Sequence, residues 1–174
     1  MISMECQLTR LEVLSLATKD YSIKQEKLIA EYLGWKCVVA SGARACHPGD
    51  IKSDNWLGEC KTHVTTGNRI KFIYKEWAKI CEEAMSKFRF PVLFVDDGSQ
   101  KEVATWCMVN AKVIAVDDQP TIEQVVAKSS LFVSEAMMAE CDQSLDKMLK
   151  FNFNGDIVLV MRLATFKDLC CNRY

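Results

Sequence analysis

The chain has little punctuation. Only three prolines occur in 174 residues, and no low-complexity linker or internal repeat divides the sequence, so a multidomain or solenoid arrangement is not expected. No run of ~18 apolar residues is present, which excludes a spanning helix. The first twenty residues, MISMECQLTRLEVLSLATKD, lack a basic start followed by an uninterrupted apolar core. No secretion signal is therefore expected, and the expected location is the cytoplasm. Nine cysteines are present, but no CxxC pair occurs and only Cys170 and Cys171 are adjacent. That scatter argues against a disulfide framework and for thiols kept reduced.

What is present is the composition of an ordinary globular domain, 49% apolar and 26% charged. The length suits one domain over residues 1–174 with a real core. The net charge of -1 argues at first against a polyanion ligand, but the charge is segregated. Residues 21–90 hold 12 Lys/Arg against 8 Asp/Glu, and the remainder holds 10 against 15. A basic share concentrated in one region permits a nucleic-acid partner without establishing one.

Residues 22–33 read as a helix, with Ser22 as N-cap, Gly34 as its stop, and Ile23, Ala30 and Leu33 facing a core. Glu26 lies on or beside that face. Residues 35–40 read as a strand, and 50–54 and 56–63 as two more joined by a turn at Ser53 to Asn55. Residues 75–88 space Trp77, Ile80, Cys81, Ala84 and Met85 as one face of an amphipathic helix. Strands follow at 91–97 and 103–109, joined by a hairpin containing Gly98. The order helix, three strands, helix, two strands implies an α/β domain with a central mixed β-sheet flanked by helices. Its core is expected at about 21–109, with an elaboration over 110–174. There, residues 133–149 place Val133, Met137, Cys141, Leu145 and Met148 at helical intervals, a core-facing or dimer-facing stripe. Residues 156–163 read as a strand and TFKDLC as a helical turn, and the first twenty residues have room for a short helix.

The chemistry concentrates in LGECKTH, residues 57–63. Alternation along a strand sends Glu59, Lys61 and His63 to one face and Cys60 and Thr62 to the other. A hairpin turning near Asn55 brings Asp50 close to Glu59 or Lys61. Two carboxylates with the backbone carbonyl of Cys60 form a hard, oxygen-rich site suited to Mg²⁺ (or Mn²⁺), and Glu26 can add a further carboxylate. A metal so held polarises a phosphodiester and acidifies a bound water, while Lys61 orients that water or offsets developing charge. Asp, eight residues, then Glu-x-Lys also arises by chance, and a solvated edge strand accounts for it about as well. Its position at a hairpin after a helix and a Ser-Gly turn strengthens the functional reading.

The pieces QEKLIAEYLG, SGARACHPGDI, LGECKTH, IKFIYKEWAKICEEA and FPVLFVDD stand in an order and spacing that resemble the PD-(D/E)XK nuclease superfamily. The likeness is to the phage-type and archaeal-type Holliday junction resolvases, and it covers roughly the first two thirds of the chain. The resemblance implies a restriction-endonuclease-like αβββαβ core and a metal-dependent endonuclease, usually a homodimer, that cuts branched DNA. By position, Glu26 corresponds to the first-helix glutamate, Asp50 to the metal-binding aspartate, and Glu59 and Lys61 to the E-x-K pair. Ser41 and Gly42 correspond to a turn near the scissile phosphate, and Lys75 and Trp77 to a basic-aromatic pair. Pro48 departs from the pattern, which is often basic there, and residues 1–20 and 110–150 have no placed counterpart.

Further phosphate contacts are expected from Arg44, Lys52, Arg69, Lys71 and Lys75, each also readable as an ordinary solvated cation. His63 is a further candidate for touching DNA, and a plain surface histidine otherwise. Trp77 reads as core more readily than as a base-stacking platform. Cys37, Cys46, His47, Cys60 and His63 converge poorly for zinc, because Cys60 and His63 alternate to opposite faces. Two other readings stay open. One is a nuclease of the same superfamily acting on damaged, flap, single-stranded or specific duplex DNA. The other is a non-catalytic DNA-binding protein keeping the fold, against which the intact Asp50, Glu59 and Lys61 argue.

Overall fold

The computed structural model describes residues 10–38, 49–63, 69–115, 126–140 and 148–171. Ser41, Gly42, Arg44, Cys46, His47, Pro48, Cys141 and Leu145 lie outside the described residues. The fold is mixed α/β, built, among the described residues, on one eight-stranded sheet and a separate two-stranded ribbon.

Helix α1 (Arg10–Leu33) precedes the short strands β1 (Lys36–Cys37) and β2 (Ile51–Lys52) and the long β3 (Trp56–Thr62). These three pair antiparallel. After β4 (Arg69–Ile73), helix α2 (Tyr74–Met85) crosses over to β5 (Phe90–Asp96), which lies parallel to β3 in register from Trp56↔Phe90 to Thr62↔Asp96. A parallel neighbour requires such a crossover, and a helix supplies it. Then follow β6 (Trp106–Asn110), β7 (Val126–Ala127), β8 (Ser130–Ser134), α3 (Glu135–Glu140), β9 (Met148–Phe153), β10 (Asp156–Arg162) and α4 (Leu163–Phe166), which runs on through Cys171. The sheet order is β1-β2-β3-β5-β6-β10-β9-β7, and β4 pairs with β8 as the ribbon.

Alternation splits the core in two. Trp56, Cys60, Val92, Phe94, Cys107, Val109, Leu159 and Met161 bury on one face beneath Ile29, Ala30 and Leu33 of α1 and Phe166 of α4. Leu57, Leu93, Val95, Trp106, Met108, Val158 and Val160 bury on the other beneath Trp77, Ile80 and Ala84 of α2 and the apolar side of the ribbon. The central strands are apolar on both faces because both are covered.

Several expectations are corrected. Helix α1 begins at Arg10, so Ser22 is interior rather than an N-cap, and its hydroxyl donates to Glu26 Oε1 at 3.0 Å. Gly34 does end the helix. Its N–H reaches Glu31 O while that of Trp35 reaches Ala30 O, the paired bonds of a Schellman stop. Ile23 and Met85 are exposed rather than core-facing. Of residues 35–40, only Lys36–Cys37 are strand among those described, and residues 102–104 are a 3₁₀ turn ahead of β6.

The helix read over 133–149 is not formed. Val133 belongs to β8 and Met148 to β9, both buried, and only Glu135–Glu140 between them is helical among the described residues. Neither end of that stripe is therefore available as a dimer face. Helical spacing was a coincidence of two strands flanking a short helix, and burial in two core layers outweighed local periodicity.

Candidate active site

Strand β3 positions the site. Gly58 lets the strand pack closely on its α1 side, since a Cβ there would lie 2.6 Å from the Phe94 ring. Register Ile51↔Gly58 places Asp50 across from Glu59, so Asp50, Glu59 and Lys61 share the α2 face. Asp50 is held by its backbone, N–H to Gly58 O at 2.8 Å, and by its side chain, whose Oδ2 accepts from Cys60 N–H at 2.8 Å. The preceding Gly49 has φ +68°, and a Cβ there would strike Leu57 at 2.8 Å, so the entry to Asp50 accepts only glycine without strain. Glu83 Oε2 of α2 takes the Gly49 N–H at 2.9 Å and ties this turn to the helix.

Glu59 is buried, and its Oε1 receives Lys61 Nζ at 2.8 Å and Lys79 Nζ at 2.9 Å. Burial pushes the Glu59 carboxyl up, but the two ammonium groups outweigh it and hold it below its ordinary value. For Lys61 and Lys79, burial favours the neutral form, yet Glu59 holds both above the usual lysine range. Among the described residues no ammonium pairs with Asp50. Burial first and the Glu59 charge second push it up to about 6, with Glu26 adding to the rise and the Cys60 N–H and, only weakly, the Lys61 charge opposing it. Glu26, half-buried on α1, is thus within electrostatic reach of Asp50.

Cys60 turns its thiol into the α1-side core, where burial, then Asp50 and Glu26, push its pKa well above the ordinary value, so the sulfur is not a nucleophile. Its N–H points at Asp50, and a strand residue's N–H and C=O open on the same side, so the Cys60 carbonyl faces the Asp50 side as well.

Three residues not singled out from the sequence complete the arrangement. Lys79 lies one turn after Lys75 on α2 and pairs with Glu83 at 3.7 Å as well as with Glu59. Gln25 is buried and donates to Lys61 O at 3.0 Å, clamping the backbone of the E-x-K segment to α1. Thr62 Oγ1, 3.2 Å from Gln25 Oε1, donates to buried Asp96 Oδ1 at 2.7 Å. A Lys or Gln in a helix has no local signature that separates these roles from an ordinary surface position.

The remaining expected residues scatter. His63 shares the Glu59 face and pairs with Glu76 at 2.9 Å. Lys52 stands opposite Lys36 on β1 and Leu57 on β3. Arg69 and Lys71 lie on the ribbon, and Lys75 is exposed on the first turn of α2. Trp77 is fully buried and donates Nε1–H to Asp156 Oδ2 at 3.1 Å, so it is core rather than a base platform. A cavity of about 450 Å³ bordered by Arg69, Asp97, Trp106, Glu135 and Arg162 opens elsewhere, its arginine at 162 stacked on Trp106 and paired with Glu135.

Among the described residues, no three His, Cys, Asp or Glu side chains converge as a ready metal cage. The donor chemistry nevertheless suits a hard cation, because Asp50 is raised chiefly by desolvation and by a second carboxylate, and a cation beside it opposes both. No helix among the described residues is long and apolar enough to cross a membrane. No protein-family model, curated protein or solved structure matches the chain.

Proposed function

We propose that the chain is a metal-dependent DNA endonuclease of the PD-(D/E)XK type, acting on branched DNA as a Holliday junction resolvase and working as a homodimer. One observation carries the reading: Asp50, Glu59 and Lys61 meet on one face of the β2–β3 pair with the Cys60 backbone between them. The element order α1, β1–β3, α2, β5, with the ribbon strand β4 ahead of the crossover helix, supports this reading.

Asp50, Glu59 and the Cys60 carbonyl would hold Mg²⁺ or Mn²⁺, with Glu26 near enough to contribute. Such an ion supplies Lewis acidity and an acidified water. The chain's own residues do the rest. Lys61, about a third exposed, presents its ammonium where charge develops on the phosphorane. Lys79 adds a second, more exposed cation on the same oxygen of Glu59. Gln25 fixes the Lys61 backbone, and the Cys60 N–H fixes the Asp50 carboxylate. Two-fold-related cuts on a near-symmetric junction call for two such sites, hence a C2 pair.

The test is cleavage of a synthetic four-way junction in Mg²⁺, with cut positions mapped on all strands, beside flap, nicked, single-stranded and linear substrates. Asp50→Asn is expected to abolish cleavage, by at least about a hundredfold, while junction binding survives. Millimolar Mg²⁺ should raise the melting temperature of the wild type and not of Asp50→Asn. An Asp50→Asn protein that still cuts would overturn the site assignment.

The binding-only reading has one observation in its favour. Lys61 and Lys79 both pair with Glu59, so their two charges offset those of Glu59 and Asp50 together. Salt-sensitive DNA binding with no cleavage of any substrate would select it.

A further inference from the structure

The β4–β8 ribbon presents a surface that the cleavage chemistry does not use. Its strands pair antiparallel, with Lys71 opposite Phe132 and Arg69 opposite Ser134. Alternation gives it two sides. Ile70, Phe72, Leu131 and Val133 are buried in the α2-side core, so Arg69, Lys71 and Phe132 face away from it. Phe132 is 44% exposed, and the Arg69 guanidinium and Lys71 ammonium each lie 5.8 Å from its ring centroid.

The core does not require this ring, since the ribbon's inward side already fills its share of the interior. On the outward side of a half-buried strand a polar residue is the ordinary occupant. An exposed ring between two cations matches the two surfaces of a nucleic-acid strand. A base stacks on the ring while the flanking phosphates meet the cations. Stacked bases inside a duplex offer no free face, so the ring selects an unpaired or unstacked nucleotide. The ribbon runs directly from Ile73 into α2, the helix that carries Lys79 to Glu59, so both lie on the same side of the sheet.

We propose that Phe132, flanked by Arg69 and Lys71, is a stacking platform for an unpaired nucleobase of the DNA substrate. This rests on the DNA reading above and adds to it a contact that favours branch points and single strands over continuous duplex.

The test is fluorescence anisotropy on the Asp50→Asn background, with labelled single-stranded DNA, a four-way junction carrying unpaired bases, and a fully paired linear duplex. Phe132→Ala is expected to weaken binding to the first two about tenfold, and to the duplex by less than about twofold. Phe132→Tyr should restore affinity, whereas Phe132→Leu, apolar without a π face, should not. Lys71→Gln should weaken all three and lower the slope of log K against log salt by about one. Unchanged affinity of Phe132→Ala for single strand and junction overturns the platform and leaves the endonuclease reading standing, as does an equal loss on duplex. Failure of the Asp50→Asn protein to bind any of the three DNAs overturns both.

Discussion

Glu59 and Asp50 face each other across the β2–β3 pair, and the fold treats these two carboxylates in opposite ways. Glu59 is the more deeply buried, yet it stays ionised because Lys61 and Lys79 both meet its Oε1. Among the described residues Asp50 receives one backbone N–H and no paired ammonium, and its pKa climbs to about 6. Burial alone does not decide charge in this cluster. The number of cations within hydrogen-bond reach does. One carboxylate is internally compensated, while the other is left in a state that an external cation would relieve.

The strongest way to break the comparison is to strip Glu59 of both partners. Lys61→Met with Lys79→Met leaves a buried carboxylate unpaired, and the expected cost is about 3 kcal/mol of stability in urea unfolding at pH 7, at the low end for a broken buried pair. Its apparent pKa should then rise above the ordinary range, toward the behaviour of Asp50. Unchanged stability would show that water, not the lysines, keeps Glu59 charged.

Removing the other carboxylate should act in the opposite direction. An aspartate raised from 3.8 to about 6 binds more protons in the folded than in the unfolded state between those values. Its contribution to stability is therefore intact below pH ~4, falls as pH rises through ~6, and stays lost above it. Asp50→Asn should abolish that slope and stabilise the protein by up to about 3 kcal/mol at pH 7 in the absence of divalent cations. A gain in stability joined to loss of cleavage is the signature of a group kept for chemistry rather than for the fold. Asp50→Asn melts that track the wild type from pH 4 to 8 would refute the raised pKa.

The mildest change is Lys79→Gln alone. Lys79 is 54% exposed and Lys61 still neutralises Glu59, so the expected loss is below about 1 kcal/mol. Glu59 depends on its cations only where it is charged, so its share of stability should disappear as pH falls below its lowered pKa, in the variant as in the wild type. A loss as large as that of the double variant would assign the compensation to Lys79 and not to Lys61.

Much of the candidate site's geometry is legible in the sequence because it is local. The E-x-K pair sits two residues apart on one strand, and Asp50 reaches it through a turn of a few residues, so period-two alternation predicts their meeting. The register resolved one open point, placing Asp50 against Glu59 rather than Lys61. Helix α2 and strand β5 were legible for the same reason. The hairpin between β9 and β10 also has a plain signal, Asn154-Gly155 with φ of 53° and 99°, the Asn-Gly turn that joins two strands. Residues 133–149 mislead as to helix, though not as to burial, because four-residue spacing is shared by a helix face and by strands that happen to flank one.

By itself the sequence determined which short segments alternate, which helix face is apolar, and which charges share one strand face, since each follows from backbone periods of 2 and 3.6. Only the tertiary structure decided the partners of those charges. Lys79 comes to Glu59 from 20 residues away, Gln25 to the Lys61 carbonyl from 36, and Phe132 to Lys71 across a ribbon with helix α2 and strands β5, β6 and β7 between its strands in sequence. No local period encodes such contacts. They arise because burying both faces of the central sheet brings distant elements over the same few residues, and that packing sets which of two neighbouring carboxylates is neutralised and which is left exposed to a cation.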